Sequence, residues 1–337
     1  MIDLTTNYLG FKLRSPLVAS SSPLCKDIGR LQQIEDAGAG AVVLHSLFEE
    51  QIMLEANTLD RFLTEGTNSH AEALSYFPDL GSYNIGPEGY LRHIERAKKT
   101  LSIPVVASLN GISTGGWINY AKLIEQAGAD ALELNIYFLP TKSDLSAGEL
   151  EKSYIELVRD IRSQVSIPVA VKLGPFFTSF ADFARRLDAT GIDALVIFNR
   201  FYQPDFNLET LEVEPSLHLS TRDDLRLRLH WVALLFSHLK AQLAITGGCN
   251  SAEDVVKGIM AGANVVMTTS ALLRYGIGYM TALETNLREW MHQHEYASVD
   301  QMRGAMSAAR VAEPAAFARA NYIKVLSSYS LTTRATS

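Results

Sequence analysis

The repeating unit of this chain is clearest in Gln126-Ala127-Gly128-Ala129-Asp130-Ala131-Leu132-Glu133-Leu134-Asn135, where a glycine precedes a short and mostly apolar run. A glycine is favoured just past the end of a helix, because it adopts a left-handed backbone without steric cost. The run that follows has the composition of a parallel strand buried on both faces. This segment therefore predicts the end of a helix followed by a strand at Ala131–Ile136.

The same order of glycine and apolar run recurs along the chain. Glycines precede apolar runs in Asp36–Ala41, Ala189–Ala194 and Met260–Val265. Two further runs begin with a proline, Pro104 and Pro168, at a position where a strand needs no ladder donor. We predict eight strands, each followed by a helical stretch, at Pro16–Ala19, Ala41–Ser46, Val105–Asn110, Ala131–Ile136, Val169–Leu173, Ala194–Asn199, Leu243–Gly247 and Val265–Thr269.

Eight strand–helix units favour a closed (β/α)8 barrel, or TIM barrel, over an open doubly wound sheet. Such a sheet usually carries an early Gly-x-Gly-x-x-Gly fingerprint, which is absent here. We predict a single domain over residues 1–337, with the barrel at about 16–293. We interpret Asp3–Arg14 as a hairpin closing the barrel floor, 298–337 as an outer packing segment, and 47–88 and 200–222 as insertions on the active face.

Composition excludes several classes of protein. The 337 residues include 30 Lys and Arg against 37 Asp and Glu, a net charge of −7, which gives no reason to expect nucleic acid or a membrane surface as partner. Cys25 and Cys249 form neither a disulfide framework nor a metal-ligand cluster. The first residues lack the pattern of a signal peptide, and no apolar segment is long enough to span a bilayer. We therefore expect a soluble, cytoplasmic protein without a bound metal.

In a (β/α)8 barrel, catalytic side chains stand at the carboxyl ends of the strands. Every predicted strand here ends in polar residues or glycine. These candidates are Ser20-Ser21-Ser22, His45-Ser46, Asn110-Gly111, Glu133 with Asn135, Lys172, Asn199-Arg200, Gly247-Gly248 and Thr268-Thr269-Ser270.

Two features indicate an anionic ligand. Lys172 is the one cation in the apolar strand Val169–Leu173, where its charge needs an anion or a polarised carbonyl; the alternative is a lysine that extends to the barrel rim. Gly247-Gly248 and Thr269-Ser270 follow the last two strands, where barrels commonly bind a phosphate group. The alternative for the glycines is a purely structural turn.

Neutral polar residues indicate a ring-shaped ligand. Asn84, Asn135 and Asn199 offer paired donors and acceptors that suit an imide- or amide-containing heterocycle, although any one of them could instead cap a loop. His45 suits a structural role as well as a catalytic one. We interpret Glu133 as a structural residue on the side of its strand opposite Asn135.

Over residues 3–290 the sequence resembles the dihydroorotate dehydrogenases, in particular their soluble, cytoplasmic type. The matching segments, in order, are Pro16–Ser21, Leu80–Asn84, Leu132–Ile136, Val171–Leu173, the strand end at Asn199, Thr246–Gly248 and Thr269-Ser270.

The resemblance implies a barrel that holds FMN. By the family pattern, the phosphate would lie at Gly247, Gly248, Thr269 and Ser270, and the flavin ring would contact Ala19, Ser20, Ser46, Asn110, Asn135 and Lys172. The lysine would stabilise the anionic reduced flavin. Asn84, Asn135 and Asn199 would hold the substrate ring. The implied reaction oxidises dihydroorotate to orotate in pyrimidine (UMP) biosynthesis, with a base that removes the C5 proton while hydride passes from C6 to flavin N5.

Three positions depart from the family pattern. Phe138 occupies the loop position of the family's catalytic cysteine or serine and cannot accept a proton. His45 stands where the family has a lysine, and Arg200 where it has a small hydroxyl residue. The predicted flavin site is therefore mostly intact, whereas the predicted substrate site is remodelled.

Three interpretations remain open. In the first, the chain is a dihydroorotate dehydrogenase whose base has moved to Ser143, Ser146 or His45. In the second, it is an FMN oxidoreductase that acts on another cyclic amide or unsaturated substrate, with Arg200 in the pocket wall. In the third, it is a flavin-binding barrel without efficient turnover. The family resemblance also implies a homodimer. The sequence leaves the electron acceptor open between fumarate, a nicotinamide reached through an iron–sulfur partner, and oxygen.

Overall fold

The protein is described by a computed structural model that covers residues 2–49, 51, 86–111, 114–138, 140–141, 143–201, 203–214, 218–317 and 326. Asn84 and most of the predicted insertion at 47–88 lie outside these residues. The architecture below concerns the described residues.

A short antiparallel hairpin precedes the barrel, as predicted. Its strands are β1 (Thr6–Tyr8) and β2 (Phe11–Leu13). Thr6 Oγ1 donates to the Asn264 carbonyl at 2.9 Å, and the Leu9 N–H donates to Gln242 Oε1 at 2.6 Å. Asn264 and Gln242 lie where barrel strands begin, so these bonds hold the hairpin against the amino-terminal end of the barrel.

Eight parallel strands form a closed barrel, which confirms the predicted TIM-barrel fold. Neighbouring strands pair in chain order, and the last closes on the first. The strands are β3 (Leu17–Ala19), β4 (Ala41–Phe48), β5 (Val105–Asn110), β6 (Ala131–Ile136), β7 (Val169–Leu173), β8 (Ala194–Ile197), β11 (Gln242–Thr246) and β12 (Val265–Thr268).

Two strands differ from their predicted bounds by two residues at the carboxyl end, and the others agree to within one residue at each end. β4 extends to Phe48, and its pairing with β5 shifts register between Val43 and Ser46. β8 ends at Ile197, so Asn199 stands just beyond the strand, where its N–H donates to the Leu173 carbonyl at 2.7 Å. The strand cores were therefore predictable, whereas their carboxyl ends depend on contacts with neighbouring strands.

Helices surround the barrel and supply the outer layer of its core. Several begin at a side-chain cap, such as Asp27, Ser146 or Ser251. The helices are α1 (Ile28–Asp36), α2 (Pro87–Thr100), α3 (Thr114–Gln126), α4 (Ala147–Gln164), α5 (Phe180–Asp188), α6 (Arg222–Leu235), α7 (Ala252–Ala261), α8 (Ser270–Tyr275), α9 (Tyr279–Gln293) and α10 (Val299–Met302).

The barrel interior changes from apolar to polar along its axis. Its lower part holds small and β-branched side chains, among them Val18, Val106 and Ala170, packed against Tyr8 of the hairpin. Side chains alternate along a strand, so the same inward faces continue upward to polar residues such as Lys172. The floor is therefore sealed by apolar packing, and polar chemistry is confined to the carboxyl end.

Two segments lie outside the barrel. After β8 the chain forms an exposed antiparallel pair, β9 (Asp205–Asn207) and β10 (Glu212–Glu214), within the predicted insertion at 200–222. Beyond α10, the N–H groups of Gly304 and Met306 donate to the Ile259 and Met260 carbonyls of α7 at 3.0 and 2.8 Å.

No helix among the described residues has the length and apolarity needed to cross a membrane.

Candidate active site

Two cavities open side by side at the carboxyl ends of the strands. The first, called here the phosphate corner, has a volume of about 140 Å³ and lies at the ends of β11 and β12. The second, called the ring cavity, has a volume of about 440 Å³ and lies over β4 to β8. Both are lined by Ser21, Lys172, Asn199 and Arg200, so together they form one elongated site.

The phosphate corner contains the residues that the sequence assigned to a phosphate group. Gly247, Gly248, Thr269 and Ser270 all line it. Gly248 has a φ of +83°, and a Cβ there would lie 2.5 Å from the Leu225 nitrogen, so only glycine fits. The Gly248 N–H donates to Ser220 Oγ at 3.0 Å, and Ser220 Oγ lies 2.8 Å from Ser270 Oγ. Backbone and hydroxyl donors thus converge on one small volume.

Arg228 of α6 also lines the phosphate corner, and the sequence analysis missed it. The side chain is buried and donates to the carbonyls of Thr246, Asp224 and Phe198. Burial lowers the pKa of its guanidinium. Among the described residues no carboxylate forms an ion pair with it, so a buried positive charge stands beside the corner without an anionic partner. Its position in a helix facing the corner, rather than at a strand end, explains why strand-end reasoning overlooked it.

The ring cavity brings together part of the predicted ring-binding and flavin-contacting set, namely Ser46, Asn110, Asn135, Lys172 and Asn199. Asn199 Nδ2 donates to Asn135 Oδ1 at 2.9 Å, which fixes the two amides relative to each other. Asn110 and Ser46 line the same cavity, and Ser46 Oγ lies 2.9 Å from Ser108 Oγ. Its lining also includes Tyr137 and His218, which the sequence analysis did not single out.

Ala19 and Ser20 lie at the end of β3. Ala19 is buried, and Ser20 lines the phosphate corner, with its Oγ 3.2 Å from Thr246 Oγ1. Thr269 Oγ1 donates to the Ser20 carbonyl at 3.1 Å. These bonds connect the beginning of the barrel to its last two strands, so the corner is closed by neighbours in space that are distant in sequence.

Lys172 meets a carboxylate inside the barrel. Its Nζ lies 3.3 Å from Glu133 Oε1, and both side chains are buried. The interpretation that Glu133 points away from Asn135 was wrong, because residues two apart in a strand share a face and both point into the barrel. Glu133 is thus part of the site, one step below Asn135.

His45 lines the ring cavity and is almost entirely buried. Its ring packs edge-on against Tyr90, with centroids 5.1 Å apart, and lies 5.4 Å from the ring of His93. Burial, with added repulsion from His93 and Lys26, lowers the pKa of His45 to about 4. The imidazole is therefore neutral near pH 7, and the position where the family has a lysine carries no charge.

The two serine candidates for the base lie away from the ring cavity. Ser143 is exposed in its loop. Ser146 is the N-cap of α4: its Oγ accepts from the Glu149 N–H at 3.3 Å and donates to the Glu149 carboxylate at 2.6 Å. It lines a third cavity of about 540 Å³ together with Phe138 and Tyr137. Of the three base candidates, His45 alone lines the ring cavity as described.

Fold and site together define a (β/α)8 barrel with a small corner lined by glycines, hydroxyl groups and a buried arginine, continuous with a polar ring cavity. The family model named dihydroorotate dehydrogenase matches residues 3–291, and the chain belongs to that family.

Curated relatives cover most of the chain at low identity. The dihydroorotate dehydrogenase B (NAD(+)) catalytic subunit of Thermoplasma volcanium is 25% identical over 308 residues, which cover 90% of this chain and 98% of the relative. The corresponding subunit of Methanothermobacter thermautotrophicus is 24% identical, with 89% and 97% covered. The chloroplastic dihydropyrimidine dehydrogenase (NADP(+)) of Arabidopsis thaliana is 23% identical, with 90% and 76% covered.

Proposed function

We propose that the protein is an FMN-dependent oxidoreductase that oxidises dihydroorotate to orotate in pyrimidine (UMP) biosynthesis. The observation that carries this proposal is the continuity of the phosphate corner and the ring cavity through Lys172. A ligand with a phosphate at one end and a flat heterocycle at the other would place its ring edge beside this lysine. Family membership and the relatives' names support the same reaction class.

The residues present fit FMN. Its phosphate would meet the Gly248 loop, Thr269 and Ser270, and would supply the anion that the buried Arg228 lacks among described residues. Its ring would extend past Lys172 toward the ring cavity. When bound, FMN supplies a two-electron acceptor for the substrate's C–C bond.

The protein's own groups would orient the substrate and stabilise charge. Asn135 and Asn199 are locked by their mutual hydrogen bond and would present their remaining amide groups to an imide ring. The Lys172 ammonium would stabilise negative charge that develops on the ring edge. His45 is the base candidate best placed by the described geometry, because it lines the ring cavity, and its pKa of about 4 makes the imidazole a weak proton acceptor.

A specific observation favours a second candidate function. The neutral His45 leaves the family's lysine position without a cation for a substrate carboxylate. This feature suits a cyclic amide that lacks a carboxylate, and the named relatives include a dihydropyrimidine dehydrogenase. In this case the flavin chemistry is unchanged and only the substrate differs.

Anaerobic stopped-flow spectroscopy tests both candidates. FMN-loaded protein is mixed with dihydroorotate or with dihydrouracil, which lacks the carboxylate, and flavin absorbance is followed, with Lys172→Ala as the inactive control. Rapid bleaching by dihydroorotate supports the first proposal, and bleaching by dihydrouracil alone supports the second. A flavin that accepts electrons from dithionite but from neither substrate contradicts both.

The remaining assignments belong to the same proposal. We propose a homodimer located in the cytoplasm, by analogy with the family. The electron acceptor stays open between fumarate, a nicotinamide reached through an iron–sulfur partner, and oxygen. Because some relatives are named catalytic subunits, co-purification is the direct way to search for a partner subunit.

A further inference from the structure

We propose that Glu133 is a positioning residue that limits the positive charge Lys172 presents to the flavin ring, and so sets how readily the flavin is reduced. This inference rests on the proposed FMN site and adds a residue to it. Glu133 would touch neither flavin nor substrate, because it acts through the lysine below the cavity floor.

The two charged groups form a buried pair. Lys172 Nζ lies 3.3 Å from Glu133 Oε1, and the side chains are only 7% and 1% exposed. A pair this deeply buried is poorly screened by water, so each charge strongly changes the field of the other. A surface ion pair at the same distance would have little influence.

Among the described residues, the Glu133 carboxylate interacts mainly with Lys172. Glu133 Oε2 is buried and makes no hydrogen bond to any described residue. Lys172 is thus the one described hydrogen-bond donor to this carboxylate. Below Glu133 the barrel interior is apolar and includes Tyr8. Burial, followed by the Glu133 carboxylate, raises the pKa of the Tyr8 hydroxyl.

The lysine transmits this influence upward. Lys172 lines both the phosphate corner and the ring cavity, whereas Glu133 lines neither. Asn135, which pairs with Lys172 across β6 and β7, stands beside the ammonium at the level of the cavity. The carboxylate therefore holds the ammonium from below and leaves its upper side toward a ligand.

The sign of the effect follows from charge. An ammonium near the flavin ring favours the anionic reduced form, and a nearby carboxylate opposes that effect. Replacing Glu133 by an uncharged residue of the same size would leave the ammonium uncompensated. The reduced flavin should then become easier to form, while the phosphate corner, on other strands, should bind FMN as before.

The experiment is a redox titration of FMN-loaded protein against a reference dye at pH 6. The variant is Glu133→Gln. The matched control is Val106→Ala, because Val106 is buried in the apolar lower part of the barrel and lines neither cavity. We expect Glu133→Gln to raise the ratio of reduced to oxidised flavin about tenfold at fixed potential, which equals about 30 mV for a two-electron couple, and the control to change it less than twofold.

A double-variant comparison separates an effect through Lys172 from a general disturbance. In the Lys172→Met background, adding Glu133→Gln should change the ratio less than twofold, because a buried carboxylate without its ammonium partner is too costly to keep charged and is already neutral. If Glu133→Gln alone leaves the ratio unchanged, or shifts it equally in both backgrounds, the inference is wrong.

Two further results keep the test decisive. If Glu133→Gln does not fold, Glu133→Asp weakens the pair by withdrawing the carboxylate one methylene, and it should raise the ratio about threefold at fixed potential; an unchanged ratio again overturns the inference. If the wild-type chain binds no FMN at all, the proposed function itself fails. Normal FMN binding with an unchanged ratio removes only the role of Glu133.

Discussion

The phosphate corner and the ring cavity adjoin each other but are built in different ways. The corner consists largely of backbone and small side chains, with Gly247 and Gly248 held against α6 and a buried Arg228 behind them. The ring cavity is lined mainly by side chains that project from six strands and the loops after them, among them His45, Tyr137 and Arg200.

The difference shows which part of such a site tolerates change. A backbone loop that packs against a helix admits only glycine, so the residue types at the corner are dictated by the fold. Side chains that line the ring cavity leave more room for exchange without disturbing the barrel. His45 thus stands there where the family pattern has a lysine, while the corner has the expected glycines and hydroxyls.

The largest effect should come from breaking the corner. Gly248→Val places side-chain atoms where even a Cβ would lie 2.5 Å from the Leu225 nitrogen, on a backbone with a φ of +83°. We expect FMN affinity to fall by about two orders of magnitude or more. Fluorescence quenching of FMN measures it, and Gly148→Ala, in an open position on α4, is the control. Retained affinity would show that the corner does not bind the cofactor.

Lys172 tests the junction of the two regions. Lys172→Ala should slow flavin reduction by substrate about 100-fold, while FMN affinity changes less than about tenfold, because the corner anchors the cofactor on other strands. Stopped-flow absorbance and equilibrium binding give the two numbers. Equal losses in both would mean that Lys172 binds the cofactor rather than tuning its chemistry.

Arg228 sharpens the assignment of the corner to a phosphate group. Arg228→Met removes the buried charge but keeps an unbranched side chain, so FMN affinity should fall about 10- to 100-fold. Riboflavin has the same ring and no phosphate, and its affinity should stay within about twofold of wild type. A parallel loss of both affinities would show that Arg228 merely supports the loop.

The neutral state of His45 predicts a pH-dependent stability. Its pKa is about 4 in the folded protein against a usual value of 6.5, so the unfolded chain takes up the proton first as the pH falls. The stabilisation is complete above pH 6.5 and is lost on acidification toward pH 4. Between pH 7 and 5 this amounts to about 2 kcal/mol. In urea unfolding, the free energy of unfolding of His45→Gln should fall by that much less than that of the wild type between pH 7 and 5. An identical fall in both proteins would contradict the low pKa of His45.

The smallest effect concerns the serine candidates. Ser146→Ala removes the N-cap of α4 and should lower the free energy of unfolding by about 1 kcal/mol. Ser143→Ala, at an exposed loop position, should leave stability unchanged. We expect neither variant to alter the rate of flavin reduction by substrate. A slower reduction in either would identify that serine as the base and show that the loop moves toward the ring cavity.

The sequence by itself determined the barrel, because eight apolar strands bounded by glycine and proline signals leave few other ways to bury both faces of each strand. It also indicated the corner, since Gly247-Gly248 and Thr269-Ser270 occupy the strand ends where barrels bind phosphate. Strand boundaries and the residue types at strand ends are local properties, so they can be predicted from short stretches of sequence.

Only the tertiary structure decided what meets at the site. Arg228 comes from a helix, Glu133 joins Lys172 across two strands 39 residues apart, and the low pKa of His45 arises from burial beside Tyr90 and His93. None of these has a local signal, because burial and long-range proximity are set by how the strands close into a barrel. The charge of a side chain can be read from its sequence, but its electrostatic partner and its exposure to water come from the fold.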